Sequence, residues 1–231
     1  MSLSVDSRSC GKAYVLRLIG RIVAGDESRT LETALTRCLQ DSNRVVLNVG
    51  EVSRVDSSGM GLLVRFLCRI RSNGGDLRLA APQGFFCTLL GMTKLLSIFR
   101  TYGTEDEAIV SFLKEPGGAR ESTPAGPLVL FLDQSPDLCA FVRKVLNGHG
   151  YEAITTLRLH DAKLLLSAAD VAFLVLGPEP SQLPVTGVLA ALQPLARNAK
   201  LIQLDHDFEI DDAEKAASQL VRKIQADSVS P

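Results

Sequence analysis

Residues 45–67, VVLNVGEVSRVDSSGMGLLVRFL, decide how the first half of the chain is read. Val45, Val46, Leu47 and Val49 form a short, nearly continuous apolar run, the pattern of a strand buried on both sides. Met60, Leu63, Val64 and Leu67 then recur at helical spacing, and Asn73-Gly74-Gly75 stops them. Between the two lies Val55-Asp56-Ser57-Ser58-Gly59-Met60-Gly61-Leu62, where a buried strand hands over to a helix. Ser57 or Ser58 is suited to cap that helix, and the free amides of its first turn together with the helix dipole favour a negative group there. Gly59 and Gly61 cost helix stability relative to Ala. That points to a requirement other than propensity, and close approach by another protein meets it.

The flanking segments continue the alternation. Ala13 to Val23 is rich in Val, Leu and Ile, with Arg17 and Arg21 spaced as a strand or hairpin would place them. Leu31, Ala34, Leu35, Cys38 and Leu39 repeat with helical spacing behind the cap candidates Asp26 and Ser28. After the glycines come a strand over Asp76 to Ala81, a short helix around Phe85 to Leu90 and a strand near Ile98 to Tyr102. The capping box Thr104-Glu105-Asp106-Glu107 opens a last helix. The expected order is strand, helix, repeated four times, as in an α/β domain.

Composition bounds the function. With 46% hydrophobic and 22% charged residues the chain can bury a core and is not a disordered protein. Its 25 basic and 26 acidic residues give a net charge of -1, so neither nucleic acid nor an anionic membrane is an expected partner. The N-terminus lacks the apolar region of a signal peptide and no stretch has the length of a spanning helix, so a cytoplasmic protein is expected. The five cysteines, Cys10, Cys38, Cys68, Cys87 and Cys139, contain no C-x-x-C pair and read as core residues. No Ser-His-Asp set, Walker loop or G-x-G-x-x-G after a strand is present, so the chain is expected to be non-enzymatic, with no cofactor and no metal. Asp205-His206-Asp207 with Glu209, Asp211 and Asp212 reads as a solvated acidic loop before a helix rather than a metal cluster. The Gly-, Pro- and Ser-rich run KEPGGARESTPAGP, residues 114–127, marks a linker. The expected domains are 1–114 and 127–226, with a linker over 115–126 and a tail over 227–231.

The first domain resembles the STAS domain of bacterial anti-sigma-factor antagonists. The resemblance rests on Gly20-Arg21-Ile22, Glu27-Ser28-Arg29, Val45-Val46-Leu47, Asp56-Ser57-Ser58-Gly59-Met60-Gly61, Gly74-Gly75-Asp76-Leu77, Thr93-Lys94-Leu95 and Glu107-Ala108, in that order. It implies a mixed sheet flanked by helices and an anti-anti-sigma role. In this family an anti-sigma factor that is also a serine kinase, of the GHKL type, phosphorylates the motif serine, which here is Ser58 in preference to Ser57. A phosphate would add about -1.5 to -2 charges beside Asp56 and end binding, and a phosphatase would reset the protein. The implied partner surface is Asp56, Ser57, Gly59, Met60, Arg65 and Arg69. Many relatives have Asp where this chain has Asn48, taken as a strand end, and Asn keeps hydrogen bonding but not charge.

The second domain reads as strands at Leu128 to Leu132, Glu152 to Thr155, Val171 to Leu176 and Leu201 to Leu204. Helices follow from about Leu138, over Ala162 to Ala168, Val185 to Ala196 and Asp212 to Ile224. Leu132-Asp133-Gln134-Ser135-Pro136-Asp137 and Gly150-Tyr151-Glu152-Ala153 resemble the receiver domain of response regulators, which implies a flavodoxin-like parallel sheet. A working receiver needs an acidic pair for magnesium and an acceptor aspartate. Gln134 replaces the second acid, and Val175-Leu176-Gly177 offers no carboxylate at the third strand's end. The domain is therefore expected to be a pseudo-receiver used for docking or homodimerisation. Two other functions fit the residues. One is a constitutive STAS scaffold subunit of a signalling or transport complex, and the other is a phosphorelay receiver using Asp133.

Overall fold

The computed structural model describes residues 2–114, 126–196, 198–205, 208 and 213–228. The chain divides into two compact units, Met1–Glu121 and Ser122–Pro231. All of the expected linker except Gly126 lies outside the described residues, as do His206, Asp207, Glu209, Asp211 and Asp212 of the acidic loop.

The first unit contains β1 (Ser4–Cys10), β2 (Ala13–Ile22), α1 (Asp26–Asp41), β3 (Arg44–Val55), α2 (Ser57–Ser72), β4 (Asp76–Ala80), α3 (Gly84–Met92), β5 (Arg100–Tyr102) and α4 (Glu105–Lys114). Its strands lie in the order β5-β4-β3-β2-β1. β1 and β2 form an antiparallel hairpin pairing Val5 with Leu18, and the other neighbours are parallel. Side-chain alternation puts Leu16, Leu18, Val45, Leu47, Val49, Leu77 and Leu79 on one face, where they pack with Leu31 and Leu35 of α1, Leu63 and Leu67 of α2 and Phe86 of α3. Each fully buried Leu or Phe stabilises this layer by about 1.5–3 kcal/mol. On the opposite face the fully buried Arg78 of β4 lies 3.6 Å from the Phe112 ring of α4, with its charge near Asp76. The capping box forms as expected, with Glu107 N donating to Thr104 Oγ1 at 3.1 Å and Thr104 N to Glu107 Oε2 at 3.3 Å.

Four expectations change. The unit opens with β1, a strand that the apolar pattern does not reveal, so the order is not a strict alternation. Gly25 precedes α1 as its N-cap residue without a side-chain bond, while Ser28 Oγ donates to Val23 O at 2.6 Å, so neither Asp26 nor Ser28 is the cap. β3 extends to Val55, which puts Asn48 inside the strand rather than at its end. Cys68 is exposed on α2 and Cys87 is half-buried, so only Cys10, Cys38 and Cys139 are core thiols.

The second unit contains β6 (Leu128–Leu132), α5 (Pro136–Gly148), β7 (Glu152–Thr156), α6 (Leu159–Ala168), β8 (Phe173–Leu176), α7 (Val185–Leu192), β9 (Lys200–Gln203) and α8 (Ala213–Ser228). The four strands are parallel in the order β7-β6-β8-β9. Val129, Phe131, Phe173, Val175 and Ile202 pack against Val142 and Leu146 of α5 and Leu220 and Ile224 of α8. α8 runs through Ser228, two residues into the span read as a tail. Among the described residues no helix is long and apolar enough to cross a membrane.

Candidate functional site

The strand-to-helix turn at Val55–Met60 is built around Asp56. This residue has extended backbone (φ -103°, ψ 179°) and is the N-cap of α2. Gly59 N donates to its Oδ1 at 2.8 Å and Ala24 N to its Oδ2 at 2.9 Å, while Asp56 N donates to Ile22 O at 3.1 Å. One carboxylate thus joins the first turn of α2 to the loop that leaves β2. The hydrogen bond from Gly59 N, then the one from Ala24 N, holds the Asp56 carboxyl below the usual carboxylate range, and the Arg54 charge adds to this. Asp56 remains ionised at neutral pH.

The cap is therefore not a serine, contrary to expectation. Asp is as good an N-cap as Ser, and the spacing Asp56-x-x-Gly59 matches a cap accepting from the third residue on. That signal was present in the sequence. With Asp56 in this role, Ser57 and Ser58 occupy the first two helical positions with exposed side chains.

The two glycines have different origins. A Cβ on Gly59 would lie 2.3 Å from Ile22 O and 2.7 Å from Ile22 Cγ2, so the close approach at this position comes from the chain's own β2. Gly61 has open space around its Cα and is exposed. Gly59 is buried, and Met60 is 6% exposed and belongs to the core, so neither presents a surface. Arg65 and Arg69 are exposed, as is Cys68, and Arg69 sits 6.0 Å over the Phe66 ring. Ser57, Ser58, Gly61, Arg65, Cys68 and Arg69 therefore form a solvent stripe of α2; the helix has three arginines, Arg65, Arg69 and Arg71, and no acid.

Ser53, Arg54 and Val55 at the end of β3 and Phe85, Thr88, Leu89 and Met92 of α3 line a shallow, partly apolar groove. Phe85 is 40% and Met92 80% exposed. Asn48 serves the fold: Nδ2 donates to Glu105 Oε2 at 2.7 Å, Gly50 N donates to its Oδ1 at 3.0 Å, and Glu105 also pairs with Arg8.

In the second unit Asp133 follows β6 and is 1% exposed. Both of its carboxylate oxygens accept backbone amides. Burial pushes its carboxyl above the usual carboxylate range despite those bonds.

Residues 5–108 match the family model of the STAS domain. Over 67 residues, 29% of this chain, the sequence is 33% identical to a candidate anti-sigma factor antagonist of Thermotoga maritima, and the match spans 59% of that relative's length. Among solved structures, a crystal structure of a candidate anti-sigma factor antagonist from Thermotoga maritima is similar at 20% identity and TM-score 0.45, covering 48% of this chain and 95% of that one. The phosphorylated form of the Bacillus cell fate determinant SpoIIAA is similar at 18% identity and TM-score 0.40, covering 48% of this chain and 99% of that one.

Proposed function

We propose that the first unit is an anti-anti-sigma module: it binds an anti-sigma factor that is also a serine kinase of the GHKL type, and phosphorylation of Ser58 ends that binding. The observation that carries this reading is the division of labour at the turn. Asp56 caps α2, which leaves the Ser58 side chain exposed in the first helical turn beside a stripe of arginines. The match of residues 5–108 to the STAS domain supports it, as does the 33% identity to a candidate anti-sigma factor antagonist.

The chemistry of such a switch follows from the surroundings. Unmodified, Ser58 is small and exposed, as is Gly61 one turn on, where a Cβ would meet nothing, which leaves room for a partner's backbone or side chains to approach α2 closely. Phosphorylated, it adds about -1.5 to -2 charges next to the ionised Asp56. In water the helix N-terminus and Arg54 offset part of that repulsion; in a dry interface the phosphate oxygens would lose their water without a matched donor. Dissociation is the lower-energy outcome, and a phosphatase restores the binding form. Because Gly59 and Met60 face inward, the proposed contact surface consists of Ser57, Ser58, Gly61, Arg65 and Arg69, with Asp56 holding it in shape.

The second unit, in this reading, is a receiver-like domain of the flavodoxin type that takes no phosphate and serves docking or homodimerisation. Its strand order and the burial of Asp133 support that assignment. A phosphorelay through Asp133 is disfavoured by the same burial.

Pull-down from source-cell lysate with wild type, Ser58→Ala and Ser58→Asp, scored by mass spectrometry, tests the switch. Retention of a GHKL-type kinase by wild type and Ser58→Ala, with loss by Ser58→Asp, is expected. Equal recovery by all three would replace the switch with a constitutive scaffold.

A further inference from the structure

The strands of the second unit are laid out in both directions from β6, with β7 on one side and β8 and β9 on the other. In an open parallel sheet, the crevice outside the carboxyl ends of the strands at such a reversal is where ligands bind. In this protein the chain itself fills that place. Asp133 leaves the end of β6, and its Oδ1 accepts Ser135 N at 2.8 Å while its Oδ2 accepts Glu179 N at 2.9 Å. Ser135 is the N-cap of α5, and Glu179 lies in the segment after β8. A backbone bond from Gln134 N to Glu179 O at 2.9 Å closes the same two segments on each other.

The packing shows how completely the crevice is occupied. A Cβ on Gly177, the residue that follows β8, would lie 2.2 Å from Asp133 Oδ2 and 2.7 Å from Asp133 Cγ. The carboxylate therefore sits in the space that a side chain at position 177 would enter. Beneath it, Cys139 Sγ approaches Asp133 O at 3.5 Å and Asp133 N donates to Thr156 O at 3.3 Å, which ties the ends of β6 and β7 as well.

We propose that Asp133 is an internal latch: its carboxylate fills the crevice between the ends of β6 and β8, pins the segment after β8 to the start of α5, and keeps the second unit in one closed, ligand-independent arrangement. Its acceptor oxygens stand at the start of α5, where the free amides of a helix N-terminus need acceptors. Two amides that would otherwise bind solvent or a ligand are satisfied by the chain. The unit then presents its upper loops to a partner in a single state, with no signal needed to order them. The latch stands independently of the reading of Ser58, since it uses only residues of the second unit.

Amide exchange at Ser135 and Glu179, followed by NMR in the full chain, tests the latch. In Asp133→Ala both amides should exchange roughly tenfold faster or more, as expected for losing a buried hydrogen-bond acceptor, with first-unit amides unchanged. Added sodium formate should restore their protection, and sodium chloride at the same ionic strength should not. Wild-type exchange at both amides, or formate acting no better than chloride, overturns the proposal. Should Asp133→Ala not fold, Asp133→Asn decides: it keeps one acceptor oxygen, so faster exchange at one or both amides supports the latch and wild-type exchange at both refutes it.

Discussion

Replacing Asp56 with Ala removes two bonds at once, from Gly59 N and from Ala24 N. Loss of an N-cap side chain costs about 1 kcal/mol, within a range of roughly 0.5–2. The Ala24 amide belongs to an exposed residue, so water replaces much of the second bond. α2 stays anchored by Leu62, Leu63, Phe66, Leu67 and Ile70, so the helix frays at its start without detaching. The expected loss is about 1–2 kcal/mol, at roughly 3–6 °C in melting temperature per kcal/mol for a unit between the small and the large size classes. Ser57→Ala and Ser58→Ala, at exposed positions that do not cap, should stay within about 0.5 kcal/mol of wild type. The cost also depends on pH with a definite sign. Asp56 has a folded pKa below its unfolded value near ~3.9. Its contribution is therefore present above that value and lost as pH falls through the folded pKa. Denaturant unfolding by circular dichroism at pH 7 and near pH 3 reads both effects: the gap between wild type and Asp56→Ala should narrow at the lower pH. A Ser58→Ala variant as unstable as Asp56→Ala, or an Asp56→Ala variant as stable as wild type, would refute the assignment of the cap.

The two glycines of α2 should respond oppositely to the same substitution. Gly59→Ala drives a Cβ against Ile22 O and should cost more than the roughly 1 kcal/mol that Ala gains in a helix, whereas Gly61→Ala meets nothing and should stabilise by about that amount, both read by thermal melts. Thiol labelling followed by mass spectrometry should modify Cys68 first, because it is exposed; Cys38 and Cys139, pushed up to about 12 mainly by burial, should label only on unfolding. Gly177→Ala should destabilise the second unit, since its Cβ would meet the Asp133 carboxylate, and pairing it with Asp133→Ala should recover part of the loss in a double-mutant cycle.

The parts of the fold that a sequence states openly are those where side-chain periodicity is strong. Val45-Val46-Leu47 and the stripe Met60, Leu63, Leu67 announce β3 and α2 because burial on defined faces leaves few polar residues there. β1 has the opposite character: Ser4–Cys10 carries Ser, Asp and Arg and is held by its backbone ladder to β2, which composition does not record. The end of β3 is hidden likewise, since Glu51, Ser53 and Arg54 lie exposed in a strand that its ladder to β2 carries on to Val55. At the site, the helix start is legible but the identity of its cap is not, because Asp56, Ser57 and Ser58 all qualify locally. Ala24, brought in by β2, supplies the second bond by which Asp56 holds the turn, and that bond has no local mark in the sequence. Gly59 misled for a related reason: the crowding that demands glycine comes from Ile22, and close approach within the chain leaves the same mark in sequence as close approach by a partner. Cys68 fell on the solvent side because the buried face of α2 is centred on Leu63, Leu67 and Ile70, and position 68 lies outside it.

The proposed switch requires a phosphate on the exposed Ser58 of the α2 turn. The measurement that addresses it most directly is intact-mass and peptide mass spectrometry of the protein purified from its source cells, before and after phosphatase treatment. One phosphate, localised to Ser58 and removed by the phosphatase, is the expected result. A chain without phosphate under every growth condition, or with phosphate only on a residue outside Ser57 and Ser58, would contradict the account.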